Sequence, residues 1–482
     1  MPMMKLREEL GLTFDDVLIV PRHSPISSRY GVDTGTQLTP RIRCQIPILS
    51  ANMDTVTEAQ MAVAIARDGG LGIIHRFLSP ERQAAEVTRV KRAESFVVED
   101  PVTLPSDAPL TRAREALREV GGVMVVDGDG KLCGILTRRD LVLYESENGL
   151  VQELMTPRER LITGPRGIGQ DEARELLHRH RIEKLPLVDD DGRPAGLITS
   201  QDIIKLQRHP HATKDERGRL RVGAAVGVRA SDVERAERLL SAGADLLVVD
   251  VAHGHSDLCI EMVKRLKQNF PDCEVMAGNV ATPQGVRDLA EAGASSIKVG
   301  VGSGSICITR VVTGAGVPQL TAVLECGLAA REVGVTLISD GGIRNSGDIT
   351  KALAAGGHAV MVGSLLAGTT QSPGASVVRD GRRFKVVRGM ASLTANIDRL
   401  EVESRREVDP EDWERVVPEG VEAVVPYRGD VHDILHQLIG GLRSGMTYVG
   451  AHSLEELYDK AEFVRMTGAG MAESGAHDVT KL

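Results

Sequence analysis

The sequence predicts an α/β chain built on a (β/α)8 barrel, with a second unit inserted in one of its loops. Two patterns predict it. In the first, a helix end closes on glycine and runs at once into a short apolar strand. Ala242-Gly243-Ala244 leads to Leu246–Asp250, Ala292-Gly293-Ala294 to Ile297–Gly300, and Ala355-Gly356-Gly357 to Ala359–Gly363. Continuous apolar strands alternating with helices belong to a parallel sheet covered on both faces. Their polar or glycine ends then gather at one rim, as in a TIM barrel. The second pattern is a repeat. Val125–Gly130 returns as Leu187–Gly192, and Gly134–Asp140 returns at the same offset as Gly196–Asp202. One supersecondary unit has been copied, and it splits the barrel sequence in two.

The totals agree. A chain of 482 residues is too long for one ordinary domain. Aromatic residues make up only 2%, so the core is built from aliphatic side chains, and 51 glycines suit many tight βα turns. A net charge of −9 argues against a general grip on nucleic acid, which needs clustered Lys and Arg. The cysteines (Cys44, Cys133, Cys259, Cys273, Cys307, Cys326) form no CxxC pair and no zinc spacing. Reduced thiols in a cytoplasmic setting are expected. Met1–Leu12 is charged and lacks the apolar stretch of a signal peptide. No apolar run reaches the ~18 residues of a membrane span.

In order, residues 1–93 open the barrel. Pro47–Ser50 is a short buried strand, a helix runs from about Glu58 to Ala66, and Gly69–Arg76 is a glycine-led second strand. Residues 94–206 hold the repeat, each copy reading helix, strand, tight turn, strand, helix. Residues 207–217, polar with Pro210, form the return linker. The barrel resumes at 218 and continues to 482. A helix begins near Ser231 as N-cap, with Val233, Ala236, Leu239 and Leu240 on one face. Residues 391–418 break the pattern with a charged, apolar-poor run containing Pro410 and Pro418, which predicts mobility.

The chemistry centres on Gly300–Arg310. A strand feeds straight into three glycines and two serines, a loop whose backbone can approach a ligand closely. Its N–H groups suit a phosphate, and its carbonyls a monovalent cation. Cys307 sits at the end, two residues before the Thr309 hydroxyl. A thiolate is a good nucleophile when a partner handles protons on the leaving group.

This loop closely resembles the cysteine loop of the IMP dehydrogenase / GMP reductase family, and the resemblance runs over nearly the whole chain. It implies that Cys307 attacks C2 of a purine nucleotide, GMP or IMP. Ser305 and loop N–H groups would hold the 5′-phosphate, with Gly342 and the turn Gly363-Ser364 as further phosphate contacts. Asp340 would accept the ribose hydroxyls, and Gly389-Met390 would meet the base edge. Asp250 and Asn279 would bind the nicotinamide cofactor. Carbonyls of Gly302, Gly304 and Cys307 would hold a monovalent cation, potassium, joined by Glu473 from a neighbouring subunit. Residues 391–418 would form a flap over the site. Glu419 fits the family glutamate that pairs with the threonine. The repeat resembles a tandem pair of CBS motifs, a Bateman module. There Asp140 and Asp202 would bind the ribose of adenine or guanine nucleotide effectors; as plain caps, the same carboxylates would only close helix N-termini. Homotetramers that can pair into octamers also follow from the resemblance.

Two reactions divide the family. GMP reductase takes hydride from NADPH and expels ammonia; IMP dehydrogenase gives hydride to NAD and then activates water. Asp250-Val251-Ala252-His253-Gly254, Thr447–Ala451 and Pro426–Val431 resemble reductase patterns, although His253 and His255 are dehydrogenase-like. The dehydrogenase flap carries an Arg-Tyr pair, whereas here Arg405-Arg406 runs into Glu407. Three departures stand out. Arg76 replaces a usual lysine, Val387-Arg388-Gly389 lacks a usual tyrosine, and the inserted repeat is typical of dehydrogenases. Together these features resemble the actinobacterial IMP dehydrogenase-related group, read as CBS-bearing reductases. The expectation is an NADPH-dependent GMP reductase. The alternatives are an IMP dehydrogenase and a catalytically silent nucleotide sensor.

Overall fold

The computed structural model describes residues 6–94, 96–142, 144, 146, 148–404, 413–414 and 416–475. Eight parallel strands close on themselves: β1 (Ile48–Ser50), β2 (Leu71–Ile74), β3 (Val222–Val226), β4 (Leu246–Asp250), β5 (Glu274–Val280), β6 (Ser296–Val299), β7 (Thr336–Asp340) and β8 (Ala359–Val362). Each pairs with its neighbours in chain order, and β8 returns to β1. The strands are buried almost throughout, as a sheet covered on both faces requires. The helices between them run Ala59–Arg67, Pro80–Ala93, Ser231–Ser241, Asp257–Asn269, Pro283–Glu291, Gln319–Val333 and Ser346–Ala354, with Val431–Val449 closing the ring.

Local chemistry sets several of these boundaries. Thr282 and Asn345 accept the N–H groups of Gly285 and Asp348 at 3.4 and 3.1 Å, so their helices start on side-chain caps. The Ser231 helix differs from expectation: Ala230 holds the cap position and Ser231 is the first helical residue. The Asp232 carboxylate accepts the Arg229 N–H at 3.0 Å, just ahead of the helix, and the cap itself makes no side-chain hydrogen bond.

The barrel interior is filled by Leu49, Leu71, Ile73, Leu246, Val248 and Met276, among others, with Leu38, Ile42 and Cys44 in the same cluster. These last three come from an antiparallel hairpin, Thr36–Thr39 with Ile42–Cys44, that plugs the amino end of the barrel. The Thr36 hydroxyl donates to the His358 carbonyl at 2.7 Å, and Thr336 donates to that of Leu38 at 2.6 Å. With this end closed, the strands' carboxyl ends are left for chemistry.

His358 at the plugged end gives a pH prediction. Its ring Nδ1 accepts the Leu337 N–H at 3.1 Å. Burial, with help from Arg331, pushes the imidazole down to about 4. The unfolded chain therefore takes up this proton near pH 6.5 and the folded chain does not. Its contribution to stability is whole above about pH 6.5 and is lost as pH falls toward 4, by up to about 3 kcal/mol. Denaturant unfolding at pH 7 and pH 5 should show a shallower pH dependence for His358→Gln than for the parent; equal slopes would refute it.

The chain divides into two compact units, and the smaller spans Arg92–Pro210 and Lys214–Arg219. It contains both copies of the repeat. In the first, helix Leu110–Glu119 precedes the antiparallel pair Gly122–Val126 and Leu132–Thr137 and a short helix, Arg138–Val142. In the second, Gln170–His180 precedes Lys184–Val188, Pro194–Thr199 and Ser200–Arg208. The turns match atom for atom: Asp127 Oδ1 accepts from Asp129 and Lys131 N–H groups, and Asp189 Oδ1 from those of Asp191 and Arg193. Among the described residues, no helix is long and apolar enough to cross a membrane.

Candidate active site

The loop after β6 takes its shape from positions that admit no side chain. Gly300 has φ +147°, and a Cβ there would lie 2.0 Å from the Asp340 carbonyl oxygen. This close approach lets the loop fold over the end of β7, where the Ser303 hydroxyl donates to the same carbonyl at 3.0 Å. Arg310 donates from Nε to the Val301 carbonyl at 2.9 Å and ties the loop's start to the helix behind it. A tight turn, Cys307 N–H to the Gly304 carbonyl at 3.1 Å, presents the thiol.

The segment after the flap is stitched to this loop by backbone bonds. Ile308 N–H donates to the Glu419 carbonyl at 2.8 Å, and Val421 N–H to that of Ile306 at 3.0 Å. Cys307 and Gly420 thus face each other as an isolated antiparallel bridge. Side chains complete a relay. The Thr309 hydroxyl donates to Glu419 Oε2 at 2.8 Å, and Cys307 Sγ lies 3.2 Å from Thr309 Oγ1. A hydroxyl has one proton. If it points at the carboxylate, the thiol must be the donor to Thr309, so the chain runs from sulfur to carboxylate.

A second group of charges lies at the ends of β4, β6 and β7. Lys298 is 1% exposed. Its ammonium donates to Asp250 Oδ1 at 2.6 Å and Asp340 Oδ2 at 3.2 Å. Burial alone would lower its pKa, but the two carboxylates outweigh burial and raise it. Burial would likewise raise the Asp250 carboxyl; Lys298, Arg76 and an Asn52 hydrogen bond hold it below the usual range. Asn279 Nδ2 donates to the Gly300 carbonyl at 2.8 Å and to Asp340 Oδ2 at 2.9 Å. Its Oδ1 is buried with no hydrogen-bond partner among the described residues. An orphaned buried acceptor costs about 1–3 kcal/mol and marks a place for a ligand donor.

These groups share a cavity of about 420 Å³. Of the residues singled out in the sequence, Asp250, Asn279, Gly302, Gly304, Cys307 and Thr309 line it, as do Asp340, Gly389, Met390 and Glu419. Ser305, Gly342, Gly363 and Ser364 lie outside its wall. A Cβ on Gly342 would face the Phe14 ring at 3.3 Å, and one on Gly363 would meet Met53 Sδ at 3.2 Å, behind a side chain that does line the cavity. Ser364 opens the four-residue helix Ser364–Ala367. Glu473 ends the helix Gly468–Glu473. In the smaller unit, Asp140 and Asp202 line one cavity of about 830 Å³ together with Arg138, Arg160 and Arg181. Each carboxylate also accepts its own threonine's hydroxyl, Thr137 at 2.7 Å and Thr199 at 2.6 Å.

Sequence reasoning missed Lys298, although a lysine inside a buried apolar strand was the signal. It also missed a helix at the start of residues 391–418. Residues Leu393–Ser404 form a helix, and its Asn396 and Arg399 reach the cavity. Arg388, next to Val387 where a tyrosine was expected, anchors that helix. It donates to Asp54 Oδ2 at 2.7 Å, Thr394 Oγ1 at 2.9 Å and Asp398 Oδ2 at 2.5 Å. Arg405 and Arg406 lie outside the described residues.

Comparison with known proteins adds independent findings. Residues 11–477 match the family model described as IMP dehydrogenase / GMP reductase domain. Inosine-5'-monophosphate dehydrogenase of Nitrosopumilus maritimus is 54% identical over 97% of this chain and 98% of its own length. GMP reductase of Leishmania major is 50% identical, covering 98% of each. Among solved structures, GMP reductase from Trypanosoma brucei, a cysteine-to-alanine variant in complex with guanosine 5'-monophosphate, is similar with a TM-score of 0.88. It is 48% identical over 98% of each chain.

Proposed function

The chain belongs to the IMP dehydrogenase / GMP reductase family, and within it we propose a GMP reductase that converts GMP to IMP and ammonia. The observation that carries this reading is the relay from Cys307 through Thr309 to Glu419. The thiol gives its proton to the relay as its sulfur adds to C2 of guanine. The relay, with further protons from water, then serves the amine that leaves C2 as ammonia. A bound nicotinamide cofactor, NADPH in this reading, supplies the hydride that C2 accepts before the thiolate departs. The buried orphan Oδ1 of Asn279 and the ionised Asp250 fit the cofactor's amide and ribose donors. Asp340 suits the substrate ribose, and Ser305, Gly342, Gly363 and Ser364 its phosphate.

The carbonyl set of Gly302, Gly304 and Cys307, with Glu473 from a neighbouring subunit, suits potassium. Among the described residues no cluster of His, Cys, Asp and Glu offers a site for a harder-held metal. Adenine or guanine nucleotides at Asp140 and Asp202, in a module of CBS type, would tune activity. A cytoplasmic homotetramer, able to pair into an octamer, completes the reading.

A second reading, IMP dehydrogenase, is favoured by the 54% identity to a dehydrogenase and by His253. The flap sequence Arg405-Arg406-Glu407 speaks against it, because no tyrosine follows to place a water-activating arginine. Product assays decide. GMP with NADPH should yield IMP and ammonia, while XMP from IMP and NAD would overturn the proposal. Replacing Glu419 by Gln keeps the shape and a hydrogen bond to Thr309 but removes the proton acceptor. Steady-state assays should then show kcat down about 10²–10⁴-fold, with GMP affinity changed little.

A further inference from the structure

The barrel unit has a second recess, of about 730 Å³, lined by the closing helix Val431–Val449, the turn Arg29–Gly31 and the connection into β1. Its size is that of a small-molecule site. The floor is apolar and buried, from Val32, Ile46, Leu435 and Ile439. The rim carries the guanidiniums of Arg29 and Arg443 and the imidazoles of His211, His432 and His436. Both acids in the wall are already engaged: Asp33 with Arg43 at 3.2 Å, and Asp68 with His432 at 2.8 Å.

Two observations point to a ligand. Arg443 Nε is buried and has no hydrogen-bond partner among the described residues. A guanidinium N–H left so costs stability unless something else accepts it. The second is Gly440. Glycine inside a helix costs about 1 kcal/mol relative to alanine. Its neighbours have packing reasons for it. A Cβ on Gly441 would strike Ser346 Oγ at 2.1 Å, and one on Gly445 would strike Thr350 Cγ2 at 2.6 Å. A Cβ on Gly440 would meet nothing within 4 Å. No neighbour in the chain requires this glycine, yet it lines the recess beside Ile439 and Arg443.

We propose that this recess binds a small organic anion, a phosphate or carboxylate carried on a flat apolar body. The guanidinium of Arg443 takes the anion, since its planar fork matches either group. The body lies on Leu435 and Ile439 beside the exposed ring of Tyr30, and Gly440 keeps the space open.

Calorimetric titration of the full chain tests this, with GMP and ATP present in excess so that nucleotide sites are filled. Phenyl phosphate, benzoate and inorganic phosphate are the probes, and the first two separate the phosphate from the carboxylate source. At least one aryl anion should bind saturably at one site per chain. Arg443→Gln should weaken it at least tenfold, and Gly440→Leu should abolish it while the melting temperature and GMP binding are kept. The proposal fails if neither aryl anion binds, if only inorganic phosphate does, or if either variant binds as the parent does.

Discussion

Cys307→Ala should lower turnover by about 10⁴-fold or more, since removing a covalent nucleophile removes the pathway and not one contact in it. GMP should still bind, because Asp340 and the glycine turns do not depend on the thiol. No other sulfur can take its place. Burial pushes the thiols of Cys44, Cys259 and Cys326 up to about 12 and that of Cys273 to about 11. Burial also raises Cys133, which lies in the smaller unit. A thiol so shifted is almost wholly protonated at neutral pH and is a poor nucleophile. Cys307 alone lines the catalytic cavity, 3.2 Å from a hydroxyl that already serves a carboxylate. Two measurements check this: single-turnover assays of the variant with GMP, and iodoacetamide labelling of the parent at pH 7. Labelling should fall on Cys307 and slow when GMP is present. Residual turnover within tenfold of the parent would remove Cys307 from the chemistry.

What the sequence showed and hid follows from where the information lies. A strand such as Leu246–Asp250 is legible because its burial is continuous, and its aspartate marks the rim. The relay was named in full only through the family resemblance. Cys307 and Thr309 are neighbours in sequence, but Glu419 lies 110 residues on. Only backbone pairing between Ile306 and Val421 and between Ile308 and Glu419 brings it close, and pairing across a flap leaves no local pattern. The hairpin that plugs the barrel was hidden for the same reason. So was the three-stranded sheet of Ser376–Arg379, Arg382–Arg388 and Glu422–Pro426, whose strands join segments on both sides of the flap. Composition did not show that Leu393–Ser404 is helical. A polar run predicted mobility; within it Asp398 is held by Arg388, a residue whose fan of partners spans 54 to 398.

Lys298 carries the second large effect, and its sign can be worked out. Lys298→Met keeps the length and removes the charge, leaving Asp250 and Asp340 facing each other across a buried gap. Breaking one side of a buried ion pair typically costs about 3–5 kcal/mol. The loss should depend on pH in a definite direction. In the parent, the Asp250 carboxyl is held low, chiefly by Lys298 against the opposing pull of burial. Its contribution is present above the unfolded value near pH 4 and is lost as pH falls through the lower folded value. In the variant burial, Arg76, Asn52 and the facing Asp340 charge remain to act on Asp250, and the like charge adds to burial. Burial then dominates, and the folded carboxyl rises above its unfolded value. A group raised in the folded state destabilises it when ionised, and that penalty is relieved as pH falls through the raised value. The stability difference between parent and Lys298→Met should therefore be larger at pH 7.5 than at pH 5, measured by denaturant unfolding. His358 titrates over the same range but is common to both chains, so it cancels in the difference. Equal differences at the two pH values would mean that Asp250 stays ionised without the lysine, with Arg76 and water sufficing. A pH-dependent gap, together with weakened GMP binding, would assign to one buried ammonium both the stability of the barrel's rim and the fixed geometry of the two carboxylates that face the cavity.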